Sequence, residues 1–286
     1  MRLSWRWMVL MTYLGGCAFD ARALPETVKF PSRDGTPLTG YVFTPQGDGP
    51  HPAVVMLHGR AGSYSSAAGG VYGATTLSQR HRMWGEFWAA RGYVAVHVDS
   101  FGPRGYASGF PAHSYRTRPP AVSEQTVRPL DAYGALDYLR TRRDVQPERI
   151  GVQGWSNGAM TVLAASAPNP PGLERPDTAR GFRAAIAQYP GCSAQSKEAD
   201  YRPYLPLLML VAGNDEEVSP TVCERLAREL QRRQAPLEFH VYEGASHAYD
   251  DPGARRQSQP ANRAAYADTL QRAEAFFVLH LRGETR

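Results

Sequence analysis

Arg149-Ile150-Gly151-Val152-Gln153-Gly154-Trp155-Ser156-Asn157-Gly158 runs from a short β-like segment, through two glycines that bracket a serine, into the helix-like stretch Asn157 to Ala167. A serine at the tip of a tight strand-to-helix turn is held in a strained backbone conformation. Glycines two positions to either side let strand and helix approach without a Cβ clash. The pattern Gly-x-Ser-x-Gly is common by itself, and an ordinary glycine-rich turn whose serine caps the helix would also fit it. The strand before it and the helix after it give it meaning, so the rest of the chain has to supply matching context.

Working outward, continuous apolar runs recur at Ala53 to Leu57, Tyr93 to Val98, Ile150 to Val152, Ala184 to Ala187, Leu207 to Val211 and Leu237 to Tyr242. Such runs mark strands covered on both faces of a mainly parallel sheet. Between them lie helical stretches at Leu77 to Arg91, Val127 to Thr141, Asn157 to Ala167, Pro220 to Arg233 and Arg263 to Leu281. Ahead of all of these, Val28 to Phe30 and Leu38 to Phe43 flank the turn residues Asp34-Gly35-Thr36, which predicts an N-terminal β-hairpin. Alternating strand and helix predicts an α/β fold with a doubly wound, mainly parallel sheet, and residues 24–286 suffice for one catalytic domain. Chemistry in such sheets gathers beyond the carboxyl ends of the strands. The two aperiodic stretches that follow strands, Gly62 to Thr76 and Phe101 to Ser123, are therefore expected at the rim of the site, and Pro168 to Pro176 as a surface loop.

A serine hydroxyl needs a base within hydrogen-bond reach, and the base needs a third group to fix its tautomer. Asp215 follows the strand Leu207 to Val211, and His247 follows the strand Leu237 to Tyr242, giving the order Ser156, Asp215, His247 with each residue beyond a strand end. Glu216 and Glu217 adjoin Asp215 as alternative acids. His51, His81, His113 and His280 read as surface residues, and His97 and His240 as strand residues. An oxyanion needs preorganised donors. The backbone N–H of Asn157, or alternatively that of Trp155, and the N–H of Arg60 in His58-Gly59-Arg60-Ala61-Gly62 are the candidates. Arg60, Arg104, Tyr106 and Trp155 are candidates for substrate binding. For Arg104 the preferred role is structural, tying its loop to Asp99.

The chain has 286 residues, 42% of them hydrophobic, with a formal charge of +5. All its basic residues but Lys29 and Lys197 are arginines, dispersed singly or in short groups, which reads as solvated faces rather than a nucleic-acid surface. Arg2 and Arg6 precede an apolar stretch from Trp7 to Leu14 and then Ala21-Arg22-Ala23, the pattern of a signal peptide over residues 1–23. Leu14-Gly15-Gly16-Cys17 also resembles a lipoprotein box, which would anchor the chain by a lipid at Cys17. No segment is apolar enough to be expected to span a bilayer. Removing the leader leaves Cys192 and Cys223, most simply a disulfide in an exported chain, with two buried thiols as the alternative. A periplasmic or secreted location follows as an expectation.

Taken together, His58-Gly59-Arg60-Ala61-Gly62, Asp99-Ser100-Phe101-Gly102-Pro103-Arg104-Gly105, Gly154-Trp155-Ser156-Asn157-Gly158, Tyr189-Pro190-Gly191-Cys192, Gly213-Asn214-Asp215 and Ser246-His247 resemble the dienelactone hydrolase family of the α/β-hydrolase superfamily, in particular an exported, serine-nucleophile branch. The resemblance implies hydrolysis of an ester or lactone through an acyl-enzyme, with Ser156, Asp215 and His247 in the triad positions, no metal or other cofactor, and a small-molecule substrate met by a monomer or small homo-oligomer. The founding enzymes of that family use a cysteine nucleophile with a nearby glutamate, whereas position 156 is serine and the loop His58-Gly59-Arg60 carries no glutamate. A general esterase is expected in preference to a specialised lactonase. Two alternatives share the fold: a serine peptidase of the prolyl-oligopeptidase type, and a non-catalytic binding protein on a hydrolase scaffold.

Overall fold

The computed structural model describes residues 24–283; the expected leader, with Cys17, lies outside the described residues. Strands β1 (Glu26–Pro31), β2 (Pro37–Phe43), β3 (His51–Leu57), β4 (Val94–Asp99), β5 (Val145–Trp155), β6 (Ala185–Gln188), β7 (Leu207–Ala212) and β8 (Leu237–Tyr242) form one sheet in the order β1-β2-β4-β3-β5-β6-β7-β8. The expected hairpin is there: β1 pairs antiparallel with β2, and β2 antiparallel with β4. From β4 to β8 every pairing is parallel. The helices are α1 (Gln79–Ala89), α2 (Arg128–Thr141), α3 (Asn157–Ala165), α4 (Pro220–Arg232), the single turn α5 (Ala254–Gln257) and α6 (Pro260–Phe277).

Why the strands are apolar throughout is visible in β3. Ala53, Val55 and Leu57 face a core shared with α2, α3 and α4, while Val54 and Met56 face a second core holding Trp84 and Trp88 of α1 and Phe276 and Phe277 of α6. Side chains alternate across a strand, so a sheet covered on both faces has no position left for a polar residue to meet water. Strand order reverses between β3 and β5, because β4 lies on one side of β3 and β5 on the other. This is the topological switch point of a doubly wound sheet, where a crevice opens beyond the strand ends. Leu57 closes β3 and Trp155 closes β5, so His58 and Ser156 emerge side by side at that crevice.

Cys192 and Cys223 form a disulfide with Cα atoms 5.1 Å apart. It joins the segment after β6 to the first turn of α4, closing a loop of 31 residues. Constraining such a loop in the unfolded chain is worth about 3 to 4 kcal/mol. A reducing agent is therefore expected to lower the melting temperature by about 6–15 °C. Differential scanning calorimetry with and without reductant checks this, and an unchanged melting temperature would contradict it.

Candidate active site

Ser156 stands between β5 and α3 with φ 53° and ψ −115°, a conformation that L-residues avoid. Its backbone is fixed from both sides: its N–H donates to the Gln188 carbonyl at 2.9 Å, and its carbonyl accepts from the N–H of Met160 at 2.9 Å. The two flanking glycines are required by contact. A Cβ on Gly158 would lie 2.0 Å from the Leu57 carbonyl oxygen, and one on Gly154 would lie 2.3 Å from the Gly158 carbonyl oxygen. The turn is thus wedged against the end of β3, with the Ser156 side chain lifted into the crevice.

The other two residues arrive on loops beyond β7 and β8. His247 Nε2 is 2.9 Å from Ser156 Oγ, and His247 Nδ1 is 2.8 Å from Asp215 Oδ2. The second Asp215 oxygen accepts from the N–H groups of Glu217 and Val218, both at 2.9 Å, which aims the first oxygen at the imidazole. Ser156 is 8% exposed and His247 4% exposed, so the hydroxyl and the ring are sheltered yet reachable. Two neighbours hold His247 itself. The Tyr189 ring packs edge-on against its ring with centroids 4.9 Å apart, and the His247 backbone is held by its main-chain N–H donating to Glu216 Oε2 at 2.8 Å. Tyr189 in turn donates from its hydroxyl to the fully buried Asp250 at 2.6 Å, which also accepts from Trp84 Nε1 at 2.8 Å.

Asn157 and the turn that leads into Arg60, the candidate oxyanion donors, adjoin Ser156. Asn157 opens α3, where the first N–H groups have no partner within the helix and the helix dipole presents its positive end. Facing it is the turn after β3: a Cβ on Gly59 would lie 3.4 Å from Ser156 Cβ, so the backbone that continues into Arg60 passes beside the serine. The Asn157 side chain is clamped, its Oδ1 accepting from Arg118 Nη1 at 2.8 Å.

Several sequence-predicted residues have other duties. The Arg104 guanidinium is 8% exposed and forms a two-pronged pair with Asp131 at 2.8 and 2.9 Å, with Asp34 at 3.0 Å. It is structural, as preferred, but its partners are Asp131 and Asp34 instead of Asp99, and it is not free to bind substrate. Asp99 is occupied by the Tyr64 hydroxyl and the N–H groups of Phe101 and Gly102. Trp155 is fully buried on the α1 side of the sheet, 5.8 Å between centroids from Trp84, so its side chain offers no substrate surface. His81 is buried as well, stacked on His97 with centroids 4.1 Å apart, because it belongs to the inward face of α1. Burial, together with neighbouring cationic and histidine charge, pushes both imidazoles well below the ordinary histidine range, His97 to about 3. Tyr106 stays at the rim, half-buried against Phe110.

Arg60 also lies at the rim, but its charge is taken. Its guanidinium forms a two-pronged ion pair with Glu217 at 2.6 and 2.7 Å and donates to the Phe110 carbonyl at 3.2 Å. Glu217 does not meet His247 Nδ1, which Asp215 holds; its Oε2 lies 3.8 Å from His247 Nε2, on the serine side of the ring. Burial raises its carboxyl, and the Arg60 hydrogen bonds with the charges of His247 and Arg60 outweigh that and hold it below the usual value. Glu216 pairs with Arg256 at 3.1 Å. Neither the Arg60–Glu217 pair nor the Tyr189–Asp250 support was read from the sequence, since each joins residues far apart in the chain.

The model of the dienelactone hydrolase family matches residues 38–281. The chain belongs to that family. Among curated proteins it is similar to an uncharacterized protein of Mycobacterium tuberculosis, 27% identical over 232 residues that cover 77% of this chain and 71% of that one. Among solved structures, Thermogutta terrifontis esterase 2 with propionate bound superposes with a TM-score of 0.61 at 19% identity, covering 89% of this chain and 93% of that one. A puromycin-hydrolyzing peptidase of Mycobacterium tuberculosis superposes with a TM-score of 0.62 at 23% identity. The match covers 90% of this chain, which spans about two-fifths of the peptidase (39%). Likeness at these identities establishes the α/β-hydrolase fold, and the family establishes a hydrolase acting on a small molecule. Among the described residues no group of three or more His, Cys, Asp or Glu side chains is arranged to hold a metal ion, and no helix is long and apolar enough to cross a membrane.

Proposed function

We propose that this hydrolase cleaves carboxylic esters or lactones through an acyl-enzyme formed on Ser156, with His247 as general base and Asp215 as its orienting acid. The observation that carries the reading is the continuous relay of two hydrogen bonds, 2.8 Å from Asp215 to His247 and 2.9 Å from His247 to Ser156. His247 Nε2 draws the hydroxyl proton as Ser156 Oγ attacks the carbonyl, and Asp215 steadies the imidazolium that forms. The N–H groups of Asn157 and Arg60 receive the oxyanion, each worth roughly 3 kcal/mol of barrier. Collapse releases the alcohol, which takes the proton from His247. Water, activated by the same nitrogen, then frees the acid.

Support for an ester or lactone comes from membership of the dienelactone hydrolase family. Export through a leader over residues 1–23 is part of the same proposal, and the Cys192–Cys223 disulfide supports it, since such bonds persist in oxidising compartments. The test is a panel of 4-nitrophenyl esters of graded acyl length, unsubstituted lactones, acetylated sugars and an aminoacyl 4-nitroanilide. Esters or lactones are expected to turn over with kcat/KM at least about a hundredfold above the anilide, and a preference for the anilide would favour the peptidase reading.

A further inference from the structure

Resting on that ester-hydrolase reading, we propose that Glu217 is a specificity-determining residue that makes the site select uncharged acyl groups and turn away substrates carrying a carboxylate near the scissile bond. Arg60, the cation at the mouth of the site, is neutralised by the two-pronged pair with Glu217. Arg118, next along the rim, is neutralised by Glu124 at 2.8 Å, with both side chains almost fully buried. Arg80, whose charge Arg60 feels, lies 3.9 Å from the buried Asp250. Beneath the rim, Arg104 is paired with Asp131 and Asp34. Arg60, Arg118, Arg80 and Arg104 thus each have a carboxylate partner, whereas the fully buried Arg128 has none within ion-pair distance among the described residues and donates to the His58 carbonyl at 2.7 Å.

Two carboxylates stand against the His247 ring. Asp215 Oδ2 lies 2.8 Å from His247 Nδ1. Glu217 places an oxygen 3.8 Å from the nitrogen that serves Ser156, so it stands beside the reacting hydroxyl as well. A second negative charge on the acyl group would meet this carboxylate across a partly desolvated gap, where a like-charge contact several ångströms long costs roughly tenfold or more in kcat/KM. Glu217 also takes the Nε–Nη2 edge of Arg60 in a planar, two-pronged geometry, so an incoming carboxylate would have to break that pair to gain the same bidentate contact. A neutral ester meets no such barrier.

The experiment uses two substrates that differ by one methyl group: mono(4-nitrophenyl) glutarate, which is anionic, and its methyl ester, which is neutral. Each kcat/KM is normalised to the hydroxide-catalysed rate of that ester. The wild type is expected to favour the neutral ester by roughly tenfold or more at low ionic strength. Raising salt to about 0.5 M screens the repulsion and is expected to narrow the ratio. Glu217→Gln, which frees Arg60, is expected to bring the ratio within about twofold or invert it. Any effect of that change on the basicity of His247 cancels in the ratio, and the salt series needs no variant at all. Turnover that vanishes in Ser156→Ala but shows no preference, or a preference for the anion, or a ratio insensitive to both salt and Glu217→Gln, overturns this proposal alone. Failure of the wild type to turn over either ester overturns the hydrolase reading and this proposal with it.

Discussion

Ser156→Ala is expected to lower kcat on a 4-nitrophenyl ester by about 10⁴-fold or more while leaving the melting temperature within about 3 °C of the parent. The size follows from the way the three residues act. Without the hydroxyl no acyl-enzyme forms, and the proton relay through His247 has nothing to act on. What survives is binding and the oxyanion donors, which alone give only a small part of the rate. His247→Ala should cost about as much, because residues that act as a unit are not additive. The fold should tolerate the serine change. Ser156 contributes a side-chain bond to His247 at 2.9 Å, while its position in the turn is set by backbone bonds to Gln188 and Met160 that alanine keeps. A loss smaller than tenfold, measured on protein whose circular dichroism is unchanged, would show that the chemistry lies elsewhere.

The second large effect is expected at Gly158→Ala, a residue that touches no substrate. Its Cβ would be placed 2.0 Å from the Leu57 carbonyl oxygen and 2.7 Å from that of His58, far inside van der Waals contact. The obstacle is backbone at the end of a central strand, so no side chain can swing aside to relieve it. Either α3 moves off the sheet or β3 bends, and overpacking of this kind costs about 3 kcal/mol. A drop in melting temperature of about 6–12 °C is expected. Activity should fall as well, by roughly a hundredfold, because the same shift separates the Asn157 N–H from the His58-Gly59-Arg60 turn across the oxyanion position. Thermal denaturation and ester hydrolysis on the same preparation check both, and a variant as stable and as active as the parent would mean that the close approach of α3 to β3 is not required.

The fold was legible because its signals are local. Apolar runs such as Ala53 to Leu57 can only be strands covered on both faces, and the serine turn between β5 and α3 is written in five consecutive residues. That Ser156, Asp215 and His247 come together was legible because each residue follows a strand end, and strand ends in a parallel sheet lie along one edge. Two misreadings had their correction in the same sequence. Trp155 precedes Ser156, and strand alternation with Gln153 places its side chain on the α1 face, away from the crevice. His81 stands at helical spacing from Trp84, Gly85 and Trp88, which marks it as inward-facing.

Charge partners were a different matter. Arg104 was assigned to the nearby Asp99, yet it pairs with Asp34 and Asp131, which the hairpin and α2 bring to it from both directions along the chain. Arg60 and Glu217 meet across 157 positions, and Tyr189 and Asp250 across 61. An arginine or acid in sequence carries no mark of which distant partner the fold will deliver. The consequence is functional: Arg60 read alone is a cation offered to substrate, whereas Arg60 beside Glu217 is half of a neutral pair.

Activation of Ser156 as a nucleophile by His247 is tested most directly by covalent labelling. The purified protein is treated with a fluorophosphonate, digested and mapped by mass spectrometry. One adduct per chain is expected, on Ser156 alone, lost in Ser156→Ala and slowed by at least about a hundredfold in His247→Ala. An adduct on another residue, or labelling that persists at the wild-type rate in Ser156→Ala, would contradict it.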